Sequence, residues 1–250
     1  MSIWLIVWLL LSVALIGFMI WTLRILLRQK HAWKSFAQRY KLRYTSRKFM
    51  DTPELSGVIG DFTVSIFPSE HDTPDSRSTR KLSAIEVMLT SKMPVSGVVA
   101  SGGMIGIAKD LSLREEHHPA YKDWNKEWIA AADNRFVLAE YLTDERLKAL
   151  TGLMNLKNAW MIFVFRSDMT LLRLDMPDPL ETPAKLDEMV KKMLETARIL
   201  ELQTGESTRL KSAEARSSKK EIVLDIDDKA TGDALSLLEL EEDDRKDKEP

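Results

Sequence analysis

IWLIVWLLLSVALIGFMIWTL, residues 3–23, decides how the rest of the chain is read. These twenty-one residues carry no charge, and Ser12, Gly17 and Thr22 are the only breaks among apolar side chains. At about 1.5 Å per residue a helix of this length reaches about 31 Å, the thickness of a hydrocarbon core. A helix satisfies its backbone groups internally, as lipid requires. Trp4, Trp8 and Trp21 lie towards the two ends, where indole rings suit the membrane interface. A buried helix of a soluble protein would rarely be apolar on every face for so long. A cleaved leader would carry a base before the apolar run and a small-x-small pattern after it, and neither is present. The stretch is therefore expected to be a retained membrane anchor.

The flanking charge orients it. Arg24, Arg28, Lys30, Lys34, Arg39, Lys41, Arg43, Arg47 and Lys48 follow the span, with no acid before Asp51. The positive-inside rule places this side in the cytoplasm and the short amino terminus outside, in the periplasm if the cell is a bacterium. The chain has no cysteine, which excludes a disulfide framework and thiolate metal sites. Its net charge of −2 conceals two blocks. Residues 24–48 hold nine bases and no acid; residues 221–250 hold twelve acids against four bases. Between them lie roughly 160 residues, enough for one domain with a real core.

The expected organisation is a 1–23 transmembrane anchor, a 24–40 basic juxtamembrane helix, a 41–203 cytoplasmic α+β domain and a 204–250 disordered, charged tail. In the juxtamembrane helix Leu26, Trp33, Phe36, Ala37 and Tyr40 recur at helical spacing. The aromatic stripe is expected to pack on the domain. Arg24, Arg28, Lys30 and Lys34 are expected to meet anionic lipid headgroups, each base gaining on the order of 1 kcal/mol near such a surface. Nucleic acid is a poor partner for bases fixed beside lipid.

Within the domain, 41–47 reads as a short strand and 51–55 as a helix start. Residues 61–67 alternate as a strand that Pro68 should end, 69–81 read as a polar loop, and 82–90 as a second strand. Residues 95–108, rich in Val, Ile and Gly, suggest a third strand. The cluster Ser101-Gly102-Gly103 is expected to form a bulge or hairpin turn rather than a phosphate cradle, because neither GxGxxG nor a following Lys-Ser/Thr is present. Residues 128–132 suggest a strand, and 134–140 either a strand or a lead-in to a helix. Thr143 reads as an N-cap, with Asp144 and Glu145 in the first turn and Leu142 and Leu147 placed for a hydrophobic staple. Residues 160–165 and 169–174 read as paired strands. Thr182 and Pro183 open a final helix, on which Leu186, Met189, Val190, Met193, Leu194, Ala197 and Leu200 form an unbroken apolar stripe. The fold class expected is thus α+β, a mostly antiparallel sheet of about five or six strands covered on one face by two helices.

No residue pattern carries catalysis. His117 and His118 stand near Glu116, Asp123 and Asp133, yet their spacing matches no common metal motif, so no metal and no cofactor is expected. There is no P-loop, nucleophile elbow or His-Glu-x-x-His. Residues 205–220 read as a solvated linker. Beyond it, Ile222, Leu224 and Ile226 alternate like a strand that adds to a sheet edge. Leu235, Leu238 and Leu240 sit on a short acidic helical pattern. Both islands are expected to bind a protein partner.

The stretches WKSFAQRYKLRY (33–44), GVIGDFTVSIF (57–67) and NRFVLAEYLTDERLKAL (134–150), ahead of a strand pair, resemble a group of uncharacterised bacterial single-pass membrane-anchored proteins with a cytoplasmic α+β domain. The resemblance spans about residues 33–200. It implies an inner-membrane location and brings no catalytic residue with it. The function expected is a non-enzymatic adaptor or assembly factor at the cytoplasmic face of a bacterial inner membrane. A ligand- or lipid-sensing domain is the alternative, and a membrane-bound enzyme ranks last.

Overall fold

The computed structural model describes residues 3–46, 51–73 and 76–216. A single helix, α1 (Ile3–Tyr40), runs without a break through the apolar span and the basic segment. Its 38 residues reach about 57 Å. It is the one helix among the described residues long and apolar enough to cross a membrane.

The domain is built on one nine-stranded sheet. Its strands are β1 (Arg43–Thr45), β2 (Glu54–Ile59), β3 (Phe62–Thr73), β4 (Ser76–Leu89), β5 (Gly97–Ala100), β6 (Glu115–Glu116), β7 (Ile129–Ala132), β8 (Trp160–Phe165) and β9 (Thr170–Met176). They lie in the order β1-β2-β3-β4-β9-β8-β5-β7-β6, antiparallel at every pairing. Among the described residues four further helices are α2 (Met104–Asp110), α3 (Arg135–Tyr141), α4 (Asp144–Met154) and α5 (Pro183–Leu200), and a fifth helical run covers 206–216. The α+β class is as expected, with more strands than the five or six anticipated.

Period-two alternation sends Val64, Ile66, Ile85, Val87, Leu172, Leu174, Phe163 and Phe165 to one face. There they join Trp33 and Phe36 of α1, Val137 and Tyr141 of α3, Leu150 of α4 and Val190 and Met193 of α5 in one core. On the opposite face a smaller cluster of Val98, Ala100, Ala131 and Ile162 is covered by Met104 and Ala108 of α2. The capping reading holds for Thr143, which caps α4, and for Thr182, which caps α5 with Pro183 in its first turn; the structure adds Asn134 as the cap of α3. Residues 134–140 are thereby settled as a helix and its cap.

Four expectations are corrected. The helix start at 51–55 gives way to β2, because Leu55 is buried and pairs with both Tyr44 and Ile66. Pro68 does not end β3, and 69–81 is largely strand, since β3 and β4 stay paired out to their far ends. Pro68 lies beyond the last β2 pair, Leu55 with Ile66, so its missing N–H breaks no ladder on that side. Residues 95–108 are not one strand: Ser101-Gly102-Gly103 is the turn from β5 into α2. Finally, the supposed linker is helical over 206–216, with Leu210 and Ala213 buried in the core.

A buried ion pair ties that last helix down. Arg146 of α4 meets Glu206 through two bonds, Nη1–Oε1 at 2.5 Å and Nη2–Oε2 at 2.7 Å. Its guanidinium also donates to the carbonyls of Tyr141, Ile199 and Glu201 and stacks over the Tyr141 ring. Replacing Arg146 with Met is expected to cost up to about 3 kcal/mol, because Glu206 would lose both guanidinium bonds and keep only the Gln203 N–H at 3.0 Å and the more exposed Arg209 at 3.7 Å. The measurement is the urea midpoint of the purified protein. Hydrogen bonds from Arg146 hold the Glu206 carboxyl below its ordinary range. Its contribution is therefore complete above the ordinary carboxylate pKa and is lost as pH falls through the lowered value. E206Q should flatten that acid limb.

Candidate functional site

Helix α1 changes character along its length. Every side chain from Ile3 to Thr22 is exposed, as a lipid-facing segment requires. From Gln29 onward the buried positions are Gln29, Ala32, Trp33, Phe36 and Ala37, one stripe at i, i+3, i+4, i+7 and i+8. Tyr40 then donates to Asp187 of α5 at 2.6 Å, and Lys191 and Arg39 flank the same carboxylate at 2.8 and 3.7 Å. Hydrogen bonds from Lys191 and Tyr40 hold Asp187 below the usual carboxylate range. The apolar span therefore ends in a helix built into the core.

At the crossover, α1 and the connection from β9 to α5 line an open cleft of about 620 Å³. Ile20, Leu23 and Leu27 line it from α1, beside Arg24, Arg28 and His31; Glu181 and Pro183 form the other wall. The structure thus separates the four bases proposed for headgroup contact. Arg24 and Arg28 line the cleft, Lys30 donates to Ser46 at 3.1 Å, and Lys34 is exposed elsewhere on the helix. Trp4, Trp8 and Trp21 are exposed at 71%, 65% and 67%. Ile222, Leu224, Ile226, Leu235, Leu238 and Leu240 lie outside the described residues. An apolar groove of about 500 Å³ lies beside the same β9–α5 connection, between Leu156, Ala159, Met176, Leu180 and Met189. Leu180 adopts a φ of 52° while almost fully buried, a left-handed conformation that a branched side chain seldom takes.

The sheet face opposite the main core holds a polar cluster that sequence reading missed. Arg173 of β9 grips the fully buried Asp175 through Nε and Nη2, at 2.7 and 2.9 Å. It also donates to Glu86 of β4 at 3.1 Å and to Ser69 of β3 at 2.7 Å. His71 completes the cluster, its Nε2 lying 2.6 Å from Asp175 and 3.0 Å from Ser69. Burial raises the Glu86 carboxyl, against the lowering influence of Arg173. Trp160 stands edge-on to His71 and beneath Arg80. A Cβ on Gly102 or Gly103 would come within 2.4 Å of that indole, so the double glycine is a packing requirement.

Ser69, His71 and Asp175 share residue types with a nucleophilic triad but lack its wiring. Serine and aspartate meet the same ring nitrogen, whereas a relay needs one on each. The signal available in the sequence was alternation: carried past Pro68, Phe67, Ser69 and His71 keep one face, as Arg173 and Asp175 do in β9.

The His117 region assembles nothing comparable. His117 is half-buried, while His118, Asp123 and Asp133 are exposed. Burial, then the neighbouring His118 and Arg135, lower the His117 pKa. Among the described residues no group of three or more His, Cys, Asp or Glu side chains is placed to hold a metal ion.

No protein-family model matches the chain, and a search of curated proteins returns no match. Among solved structures, a crystal structure of the mycobacterial trehalose monomycolate transport factor A, TtfA, is similar over 69% of this chain and 94% of that one. Identity is 14% and the TM-score is 0.42, a likeness too distant to carry function across.

The cluster ranks two substitutions. Asp175→Ala should destabilise the protein more than Glu86→Ala, because Asp175 is fully buried and serves both Arg173 and His71, whereas Glu86 is partly exposed. Chemical denaturation of both variants measures the order.

Proposed function

We propose that this protein is a non-enzymatic adaptor or assembly factor, held by α1 at the cytoplasmic face of a bacterial inner membrane. The observation that carries this reading is the continuity of α1 from an exposed apolar span into the domain core. A flexible leash would let the domain tumble; a helix docked through Trp33, Phe36 and the Tyr40–Asp187 bond fixes its height and tilt. That suits a protein which presents one surface to membrane-bound partners. The basic flank after the span supports the orientation. The unsuitable wiring of Ser69, His71 and Asp175 weighs against hydrolysis there.

A flexible Gly-Ser linker placed after Leu23 tests the rigid-tether reading. With the domain still folded and membrane-bound, cross-linking in native membranes should recover partners from the unmodified chain and lose them from the linker variant. Equal recovery from both would remove rigidity from the mechanism.

The tail is proposed as the second contact, through the islands at 222–226 and 235–240. Because 206–216 packs on the core, the informative truncation ends after Arg216 and not at Gln203. It should keep the folded domain and lose a subset of partners. An unchanged partner set would exclude the tail.

A further inference from the structure

We propose that the cleft between α1 and the β9–α5 connection is a binding site for one phospholipid with a primary-amine headgroup, of the phosphatidylethanolamine class. The inference rests on α1 lying in lipid and does not depend on the adaptor reading.

Three observations on the cleft walls fit the three parts of such a molecule. Ile20, Leu23 and Leu27 form an apolar strip continuous with the lipid-facing span, a surface for an acyl chain. Arg24 and Arg28, one turn apart, stand beside that strip, and among the described residues neither has an acidic partner. Guanidinium pairs of this kind suit a phosphodiester. On the facing wall Glu181 has its Oε2 buried with no hydrogen-bond donor. A buried carboxylate oxygen without a partner is costly and calls for a donor. Lys185, one turn into α5, is engaged by Asp178 at 3.0 Å and is not that donor.

Cation-binding and anion-binding groups thus face each other across the cleft, with the acyl surface leading away towards the bilayer. Phosphatidylglycerol would satisfy the arginines but could offer Glu181 only a neutral hydroxyl, a weaker donor to a carboxylate than an ammonium. A choline headgroup has no N–H to offer it. A primary ammonium fills the missing bond and neutralises the carboxylate. The volume of about 620 Å³ lies within the ordinary range for small-molecule sites.

The test is lipid retention by the purified full chain in detergent, read by native mass spectrometry. Equal amounts of phosphatidylethanolamine, phosphatidylglycerol and phosphatidylcholine are offered in competition. The unmodified protein should retain phosphatidylethanolamine over each competitor by about tenfold, the discrimination of one charge-assisted hydrogen bond. Glu181→Gln should erase the preference over phosphatidylglycerol, and joint Arg24→Gln and Arg28→Gln should reduce retention of both. Circular dichroism of each variant must match the unmodified protein, because an unfolded fraction that retains lipid unselectively would also flatten the ratio. Equal retention of all three lipids, a preference for phosphatidylglycerol, or a preference unchanged in Glu181→Gln would each overturn the proposal.

Discussion

Everything in this molecule depends on one helix with two halves of different character. Over its first half α1 is apolar all round and exposed, long and apolar enough to cross a membrane. Over its second half it is amphipathic, and its apolar stripe closes the core beside α5. Nothing breaks the helix between the two regimes: there is no proline in it, and the sole glycine, Gly17, lies inside the span. Backbone hydrogen bonds therefore transmit the position of the apolar segment directly to the domain. The Tyr40–Asp187 bond and its flanking bases pin the far end.

The two faces of the sheet follow different physical rules. One is an ordinary core, whose aromatic centre of Tyr141, Phe163 and Phe165 is covered by helices. The other is divided. Small side chains under α2 form an apolar patch at β5, β7 and β8, while β3, β4 and β9 bring charge together. Arg173 sits directly opposite Glu86 in the register, and Asp175 opposite Trp160. A half-buried cation so fully hydrogen-bonded favours one register of the strands, because a slip of one residue would leave both acids unpaired. Arg146 works in the same manner at the other end of the domain, joining α4, the end of α5 and segment 206–216.

Close packing also explains why local chemistry was overruled in places. Asp51-Thr52-Pro53 has the chemistry of a helix start, but Leu55 is worth more inside the sheet than in a first helical turn. The double glycine could mark a bulge or a phosphate loop; the indole of Trp160, nearly sixty residues away, decides that it is a close-approach turn.

The sequence by itself determined the membrane-competent span, the charge asymmetry behind it, the helix caps at Thr143 and Thr182, most strand positions and the α+β class. These are local properties: hydropathy, period and capping act within a few residues. It named Arg24 and Arg28, half of the bases proposed for lipid contact, on the walls of the cleft. Only the tertiary structure decided that Glu181 faces them, that Ser69 and His71 belong with Asp175, and that Glu206 belongs with Arg146. Each of these pairings joins residues 60 or more positions apart. No periodicity reports such a distance, because the strand order that creates it is set by how the whole sheet packs.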